Sequence, residues 1–315
     1  MNRKVKIGTR GSLLSLRQAE LVAESLKKII DWEFEIVKIK TKGDKIIDSP
    51  LYQMPGKGFF IKEIEDELIK GNIDIAVHSM KDLPTELPAG LEIAAVLKRD
   101  PPNDATLGLT IDEILKHLKT KTIKNIKIGT SSLRRQAQIR NILKIGKNTD
   151  VEILPLRGNI DTRLRKVENR EVDCAVVAYC GFLRMGWHSN IKEVLDDEFF
   201  IPSASQGAIA VECRTDSELK TILKSLDDKD TAREVYIERE IVRLIGGGCN
   251  VPLGVRAKCD GDKTKVIAGL FSLDGERSVI VKKEIKKDGA IKEIVDEILQ
   301  RGGREILNLI RVPQI

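Results

Sequence analysis

The chain has 315 residues and a formal net charge of +6, from 54 lysine and arginine and 48 aspartate and glutamate residues. This length predicts two or three domains. The composition, 41% hydrophobic, 32% charged and only 4% aromatic, predicts globular cores of aliphatic side chains. No apolar run reaches the roughly 18 residues of a membrane-spanning helix, which excludes a span of that kind.

Cysteines, histidines and the N-terminus limit the expected site classes. The five cysteines are odd in number, widely spaced and without a Cys-x-x-Cys motif, so neither a disulfide framework nor a zinc site is expected. The three histidines are too scattered to indicate a metal centre. No apolar run follows the basic N-terminal residues, so we expect no secretory signal and a cytoplasmic protein. The mildly basic charge suits an anionic ligand and does not require nucleic acid.

An internal repeat organises the first two thirds of the chain. Residues 5–9 predict a strand that turns into a helix over 13–30, and residues 126–130 predict a second strand that turns into another helix. Each half later contains a short strand of Asp-x-Ala-Val type, at 72–77 and 171–176. Paired matches in the same order predict two similar α/β domains rather than a solenoid.

The borders of these halves are marked by breaks in the pattern. Asp100-Pro101-Pro102 interrupts any regular element near 98–103. Residues 201–212 predict a turn and a buried strand, which we expect to return to the first sheet.

The pattern of predicted secondary structure changes after Ser217. Residues 218–245 predict a helix that ends at Gly246-Gly247-Gly248. Antiparallel strands are predicted over 255–257, 265–273 and 277–285, separated by Asp-Gly turns, before a closing helix over 290–310. The predicted fold is therefore two α/β domains and a C-terminal α+β domain. The predicted bounds are 1–98 with 200–216 for the first domain, 103–195 for the second and 217–315 for the third.

The two strand-to-helix turns are candidate anion sites, because unpaired N–H groups at a helix start favour carboxylate or phosphate. Ser12, Ser131 and Ser132 can add hydroxyl donors, although serines here also serve simply as helix caps. Arg134 and Arg135 strengthen the case for binding, because a guanidinium grips a carboxylate with two hydrogen bonds.

Further arginines follow predicted strand ends, where open α/β sheets bind their ligands. They are Arg157, Arg163 and Arg184. Singly each reads as a surface charge, but together they predict a cleft for a ligand with several acidic groups. Lys81 and Asp82 follow the first Asp-x-Ala-Val strand, either as a surface ion pair or as a carboxylate needed by a cationic or N–H-rich ligand.

Two other segments are candidates. Cys249 follows three glycines, which predicts either an incidental cysteine in a turn or a thiol that bulky material must reach. The long turn-rich stretch 43–58 before Phe59-Phe60 predicts a mobile lid over the cleft. Lys57 and Phe60 are the candidate functional residues of this lid.

Taken together, these motifs resemble the porphobilinogen deaminase, or hydroxymethylbilane synthase, family over nearly the whole chain. The matching segments are IGTRGSLLSLRQA, GKGFFIKEIE, DIAVHSMKDLP, IGTSSLRRQ, LRGNIDTRL and GGCNVPLG. The resemblance implies a clam of two domains like a periplasmic binding protein, plus a third domain. It also implies a monomeric transferase of tetrapyrrole (haem) biosynthesis, without a metal, that condenses four porphobilinogen molecules and releases ammonia.

The resemblance assigns roles residue by residue. A dipyrromethane cofactor is expected on Cys249 through a thioether, and Asp82 is expected to contact pyrrole nitrogens as the catalytic carboxylate. Substrate and cofactor carboxylates are expected to meet a set of cleft residues: Arg10, Ser12, Lys81, Ser131, Ser132, Arg134, Arg135, Arg157, Arg163 and Arg184. Asp82 would stabilise the positive charge that develops at a ring nitrogen when ammonia leaves.

The sequence departs from the family pattern in three places. Gly246 replaces a usual glutamate, Cys180 begins a segment that usually reads Ala-Gly-Leu-Lys-Arg, and Ser205-Gln206-Gly207 replaces a usual Gly-Gln-Gly. Two other functions stay open from the residues alone. One is a non-catalytic anion-binding protein, which leaves Cys249 and the third domain unexplained. The other is a nucleic-acid-binding protein, for which interleaved basic and aromatic stretches are missing.

Overall fold

The computed structural model describes residues 4–41, 61–145, 150–248, 250–286 and 290–311. These ranges form two five-stranded mixed sheets and a three-stranded antiparallel sheet, all packed against helices. The strands are β1 (Lys4–Arg10), β2 (Glu33–Ile39), β3 (Ile75–Ser79), β4 (Leu91–Val96), β5 (Asp104–Gly108), β6 (Ile126–Gly129), β7 (Val151–Leu154), β8 (Cys174–Ala178), β9 (Glu193–Val194), β10 (Ile209–Arg214), β11 (Leu253–Asp260), β12 (Lys263–Phe271) and β13 (Ser278–Ile285).

The helices pack on both mixed sheets and on the third sheet. They are α1 (Leu13–Lys27), α2 (Lys62–Ile69), α3 (Ile111–Thr120), α4 (Leu133–Leu143), α5 (Ile160–Glu168), α6 (Tyr179–Arg184), α7 (Lys220–Lys224), α8 (Lys229–Ile245), α9 (Ala290–Ile298) and α10 (Arg304–Arg311). Short 3-10 turns occur at Met80–Asp82 and His188–Asn190.

The two mixed sheets have equivalent strand orders, β2-β1-β3-β10-β4 and β7-β6-β8-β5-β9. In each sheet three parallel strands meet one antiparallel strand, which confirms the predicted repeat. β10 pairs with β3 and β4, so the expected return to the first sheet is also confirmed. The chain therefore crosses between the sheets twice, in a first crossover (97–103) and a second crossover (195–208).

The aspartate of each Asp-x-Ala-Val segment has the same structural task. The Asp74 carboxylate accepts from the Lys6 backbone N–H at 2.8 Å, and Asp173 accepts from Lys127 N–H at the same distance. Each aspartate also donates its own N–H to the carbonyl of that lysine, at 2.9 Å. The motif thus sets the register between the first and third strands of each repeat.

The C-terminal unit packs α8, α9 and α10 on the β11-β12-β13 sheet around buried side chains such as Ile241, Val255 and Ile294. The fold-class prediction, two α/β units and an α+β unit, is confirmed, whereas the domain bounds given above stay predictions. The prediction of one helix over 218–245 is wrong. It is split into α7 and α8, because Asp228 takes an extended conformation and caps the N-terminus of α8.

The predicted closing helix is also interrupted. Leu299–Gly303 forms a π turn between α9 and α10, and Gly302 has φ +110°, outside the helical region. Glycine adopts this conformation at little steric cost, which accounts for the position of the kink.

The C-terminal unit contacts both mixed sheets. Arg239 of α8 donates to the Leu83 carbonyl oxygen at 3.0 Å, just beyond Asp82. On the other side, Asn141 of α4 donates to the Gly275 carbonyl oxygen at 2.8 Å, in the turn between β12 and β13. The third sheet is thereby tied to the helices and turns that carry the predicted site.

Candidate active site

The predicted site residues lie at the carboxyl ends of strands in both mixed sheets. Arg10 ends β1, and the Met80–Asp82 turn follows β3. In the second sheet, Ser131 and Ser132 follow β6, Arg157 follows β7, and Arg184 ends the short helix after β8. Open α/β sheets bind ligands at this edge.

Asp82 is exposed and lines a small cavity together with Arg10, His78 and Ser79. The residues on either side of the Lys81-Asp82 pair, Met80 and Leu83, are buried. Their burial anchors the turn, so that the carboxylate of Asp82 is presented to the cavity by a fixed backbone.

A polar layer supports this cavity from below. Gln18 of α1 is buried, and its Nε2 donates to the Ser79 hydroxyl at 2.9 Å. His78 Nε2 lies 3.1 Å from Glu212 Oε2, and both side chains are buried. Burial, reinforced by the charge of Glu212, raises the pKa of the neighbouring Glu65 to about 7.

Lys81 is half-buried and donates from Nζ to Gln206 Oε1 at 3.0 Å. Burial lowers the pKa of Lys81, while the adjacent charge of Asp82 acts in the opposite direction. The hydrogen bond that Nζ donates to Gln206 also favours the charged form of Lys81.

Arg134 and Arg135, predicted to hold ligand carboxylates, are buried against Asp104. Arg134 Nη1 lies 2.6 Å from Asp104 Oδ2, and Arg135 Nη2 lies 2.7 Å from Oδ1. Burial opposes ionisation of Asp104, but the two guanidinium groups outweigh it and hold its pKa well below the ordinary range. The sequence analysis missed Asp104, which directly follows the predicted break at 98–103.

Arg163 links the two halves of the site electrostatically. Its Nε donates to the Gly158 carbonyl oxygen at 3.0 Å, next to the half-buried Arg157. Burial and the charge of Arg135 lower the pKa of Arg163 to about 10, and the charge of Asp82 opposes this shift. A cation of the second sheet thus acts on the exposed carboxylate of the first.

The three predicted serines have local partners. Ser12 and Ser132 are helix N-caps: their side chains accept from the N–H groups of Ser15 and Arg135. The Ser131 hydroxyl instead donates to the Leu156 carbonyl oxygen at 3.0 Å, which holds the segment before Arg157 against the end of β6. The capping interpretation therefore holds for Ser12 and Ser132, and ligand binding by all three stays a prediction.

Arg184 is turned towards the crossovers. Its Nε donates to Asp100 Oδ2 at 2.7 Å, and its Nη2 donates to the Gly207 carbonyl oxygen at 2.5 Å. Arg184 therefore joins α6 to both crossovers, and the structure does not bring its guanidinium to Asp82. Asp100 was seen in the sequence only as part of a break, not as a partner.

Three predicted residues lie outside the described part of the chain: the lid residues Lys57 and Phe60, and Cys249. The neighbouring Gly248 is exposed, and a side chain added there would meet nothing within 4 Å. Gly246, which stands where the family usually has glutamate, ends α8 with φ +69°.

The described residues contain neither a metal-binding cluster nor a membrane-spanning helix. No cluster of three or more histidine, cysteine or acidic side chains in them could hold a metal ion. None of their helices has the length and apolar character that crossing a membrane requires.

Comparison with known proteins gives one family. Residues 5–221 match the model "Porphobilinogen deaminase, dipyromethane cofactor binding domain", and residues 232–300 match "Porphobilinogen deaminase, C-terminal domain". The porphobilinogen deaminase of Syntrophus aciditrophicus is 42% identical over 312 residues, covering 96% of this chain and 97% of that protein. That of Trichlorobacter lovleyi is 38% identical over 312 residues, covering 97% and 96%.

Solved structures add little. A periplasmic sulfonate-binding protein from Methylobacillus flagellatus shares 14% identity and a TM-score of 0.37, covering 77% of this chain and 67% of that one. That likeness is too low to carry an argument. The family models and the near-full-length relatives suffice, and they establish that the chain belongs to the porphobilinogen deaminase family.

Proposed function

We propose that this chain is a hydroxymethylbilane synthase, which condenses four porphobilinogen molecules head to tail and releases ammonia, in tetrapyrrole biosynthesis. The observation that carries the proposal, beyond family membership, is the exposed Asp82 among cations supplied by both mixed sheets. Porphobilinogen carries two carboxylates, an aminomethyl group and a pyrrole N–H, so it offers partners to both signs of charge. We propose that the protein acts as a monomer in the cytoplasm.

The residues present fit the dipyrromethane cofactor named by the family description. Lys81, Arg10 and Arg163 supply cations for its carboxylates, and Asp82 supplies an acceptor for pyrrole N–H groups. Open space at Gly248 leaves room for a bulky group beside the proposed attachment residue, Cys249. When bound, the cofactor supplies the primer whose free α-carbon accepts the first substrate unit.

Asp82 is the proposed catalytic residue. Each condensation joins the substrate's methylene carbon to a pyrrole α-carbon, ammonia leaves, and the α-carbon loses its proton. Positive charge develops on the substrate's ring nitrogen as ammonia departs, and a carboxylate beside that nitrogen stabilises it. Because the interaction strengthens along the reaction, it lowers the barrier rather than only tightening binding.

The cations have different proposed tasks. Arg10 lines the cavity with Asp82, and Arg157 and Arg163 follow β7 of the second sheet. All three are proposed to bind substrate carboxylates during elongation. Arg134 and Arg135 carry two positive charges against the one negative charge of Asp104. We propose that the positive charge left over attracts the carboxylates of the cofactor. The serines Ser12, Ser131 and Ser132 shape these turns, and Arg184 acts from the crossovers.

Intact-mass measurement tests the proposal directly. The purified protein should exceed its sequence mass by two porphobilinogen units less two ammonia, and Cys249→Ser should lose that excess, because a hydroxyl is a much weaker nucleophile than a thiolate. Active protein of unmodified mass, or an adduct mapped to Cys180 or Cys213, would contradict the assignment. A non-catalytic anion-binding protein would carry no adduct at all.

Turnover measurements test Asp82. Asp82→Asn should lower kcat on the order of 10²–10³-fold, because it removes one preorganised charge and keeps the shape. Asp82→Glu should retain part of the activity and keep the adduct on Cys249. An Asn variant with unchanged kcat and only a raised KM would make Asp82 a binding residue and end this mechanism.

A further inference from the structure

One side chain of the second crossover lies between the two halves of the site. Gln206 is fully buried, and its Oε1 accepts from Lys81 Nζ at 3.0 Å. Its Nε2 donates to Asp104 Oδ1 at 2.9 Å and to the Pro102 carbonyl oxygen at 2.6 Å. Lys81 follows β3 of the first sheet and Asp104 begins β5 of the second, so one amide joins both sheets and both crossovers.

The arrangement requires an amide. The group must accept a hydrogen bond from a cation on one side and donate to an anion and a carbonyl on the other. A carboxamide meets these needs, because it has one acceptor oxygen and two N–H donors. A methionine of similar size offers neither function. A glutamate keeps an oxygen for Lys81 but loses the N–H donors that face Asp104 and Pro102.

The surroundings of Lys81 make this acceptor important. Its charged and titratable neighbours are Asp82, Asp104, Arg135 and Cys180. Arg135 and burial disfavour the ammonium, whereas the two aspartates and Cys180 favour it. Gln206 gives the Lys81 Nζ its hydrogen bond within the described residues, and it fixes the direction in which the ammonium points.

We propose that Gln206 is a positioning residue that holds the Lys81 ammonium beside Asp82 and sets its place relative to the Asp104–Arg135 pair. The ammonium then serves as a fixed cation for a carboxylate of the substrate, at the junction of the two sheets. This role rests on the proposed function, because it gives Lys81 a task only if an acidic pyrrole is bound there.

The first test does not use activity. Lys81 is trace-labelled with acetic anhydride over a range of pH and quantified by peptide mass spectrometry, since only the neutral amine reacts. In Gln206→Met the pH of half-maximal labelling should fall by about one unit, because the ammonium loses a hydrogen bond. In Gln206→Glu it should stay at or above the wild-type value, because an oxygen still faces Nζ.

Gln138→Met is the matched control. Gln138 is also buried, and its amide makes two hydrogen bonds to the backbone of Ile201 in the second crossover, at 2.9 and 2.8 Å, without contacting Lys81. Gln138→Met should lower the thermal unfolding temperature about as much as Gln206→Met does, and it should leave the labelling of Lys81 unchanged. An unchanged Lys81 midpoint in folded Gln206→Met would overturn the proposal.

The second test is steady-state turnover of porphobilinogen. Gln206→Met should lower kcat by about tenfold up to the order of 10², because misplacing a group by about 1 Å can cost on the order of 10² in rate. Gln138→Met should stay within about threefold of wild type. Equal losses of kcat in the two variants would show a merely structural role and refute the positioning role. If wild type lacked both pyrrole adduct and turnover, the proposed function would fail, while the labelling arms would still decide whether Gln206 controls Lys81.

Discussion

Asp104→Asn is the substitution whose effect follows most directly from the structure. The carboxylate is fully buried and accepts from Arg134 at 2.6 Å, from Arg135 at 2.7 and 3.1 Å, and from Gln206 at 2.9 Å. The asparagine would keep one oxygen but place an N–H₂ group against guanidinium donors. Two buried cations would then share a neutral partner.

The size of the effect follows from the cost of leaving buried charges uncompensated. Removing one partner of a buried ion pair costs about 3–5 kcal/mol, whereas an exposed pair contributes about 0–1 kcal/mol. We therefore expect the free energy of unfolding at pH 7 to fall by about 3–5 kcal/mol in Asp104→Asn. Asp161→Asn is the control, because Asp161 is partly exposed and forms a longer 3.4 Å ion pair with Arg165, whose side chain is 63% exposed.

The pH dependence gives a second signature. The pKa of Asp104 is depressed in the folded state, so its stabilisation is complete above the unfolded value, about 3.9, and is lost as pH falls below it. The stability difference between wild type and Asp104→Asn should be constant from about pH 5 to 8 and shrink in more acidic solution. Urea unfolding monitored by circular dichroism measures both quantities. A loss below about 1 kcal/mol at pH 7, equal to that of Asp161→Asn, would refute the reasoning.

Three further substitutions have definite expected outcomes. Ser205→Gly should raise the free energy of unfolding, measured by urea titration, by about 1 kcal/mol. Ser205 has φ +63°, which costs a non-glycine residue energy, and its buried hydroxyl has no hydrogen-bond partner among the described residues. A lower free energy of unfolding in the variant would contradict this. Glu65→Gln should become increasingly stable relative to wild type as pH rises from about 4.5 to 7, because the folded protein holds the Glu65 proton up to a pKa of about 7 while the unfolded chain releases it earlier. A flat difference across that range in thermal unfolding would argue against burial of a neutral carboxyl beside Glu212. Arg184→Lys should lower the free energy of unfolding by about 1 kcal/mol, because one ammonium cannot reach both the partly exposed Asp100 and the Gly207 carbonyl oxygen of the second crossover. An unchanged urea midpoint would show that the two-pronged guanidinium contact is dispensable.

The repeat and its strand edge were predictable because their signals are local. Two Gly-Thr turns and two Asp-x-Ala-Val segments fix where a strand begins, where it ends and which element comes next, and the backbone bonds of Asp74 and Asp173 show why the aspartates recur. The third unit was predictable for the same reason, from alternating strands and Asp-Gly turns. Helix interruptions were missed where a cap such as Asp228 lies inside an otherwise continuous helical pattern.

The partners of the arginines could not be predicted, because no spacing rule relates them. Asp104 lies 30 residues before Arg134 and Asp100 lies 84 residues before Arg184, and the pairs form only when the crossovers fold between the sheets. An arginine-rich sequence therefore predicts an anionic ligand without revealing how much of the charge is neutralised internally. The role of the buried Gln206, which donates to the Pro102 carbonyl oxygen and to Asp104, can be recognised only after the topology is known.

The contrast among the three aspartates at this edge bears most directly on mechanism. Asp104 is buried between two guanidinium groups, and Asp100 is tied to Arg184, so each has a structural reason to carry its charge. Asp82 is exposed, and within the described residues no hydrogen bond or ion pair engages its carboxylate. A carboxylate in a cationic cleft repels acidic substrates unless it meets a group that becomes positive during the reaction. The ring nitrogen of a pyrrole losing ammonia is such a group, which is why the least constrained of the three is the one proposed to act in catalysis.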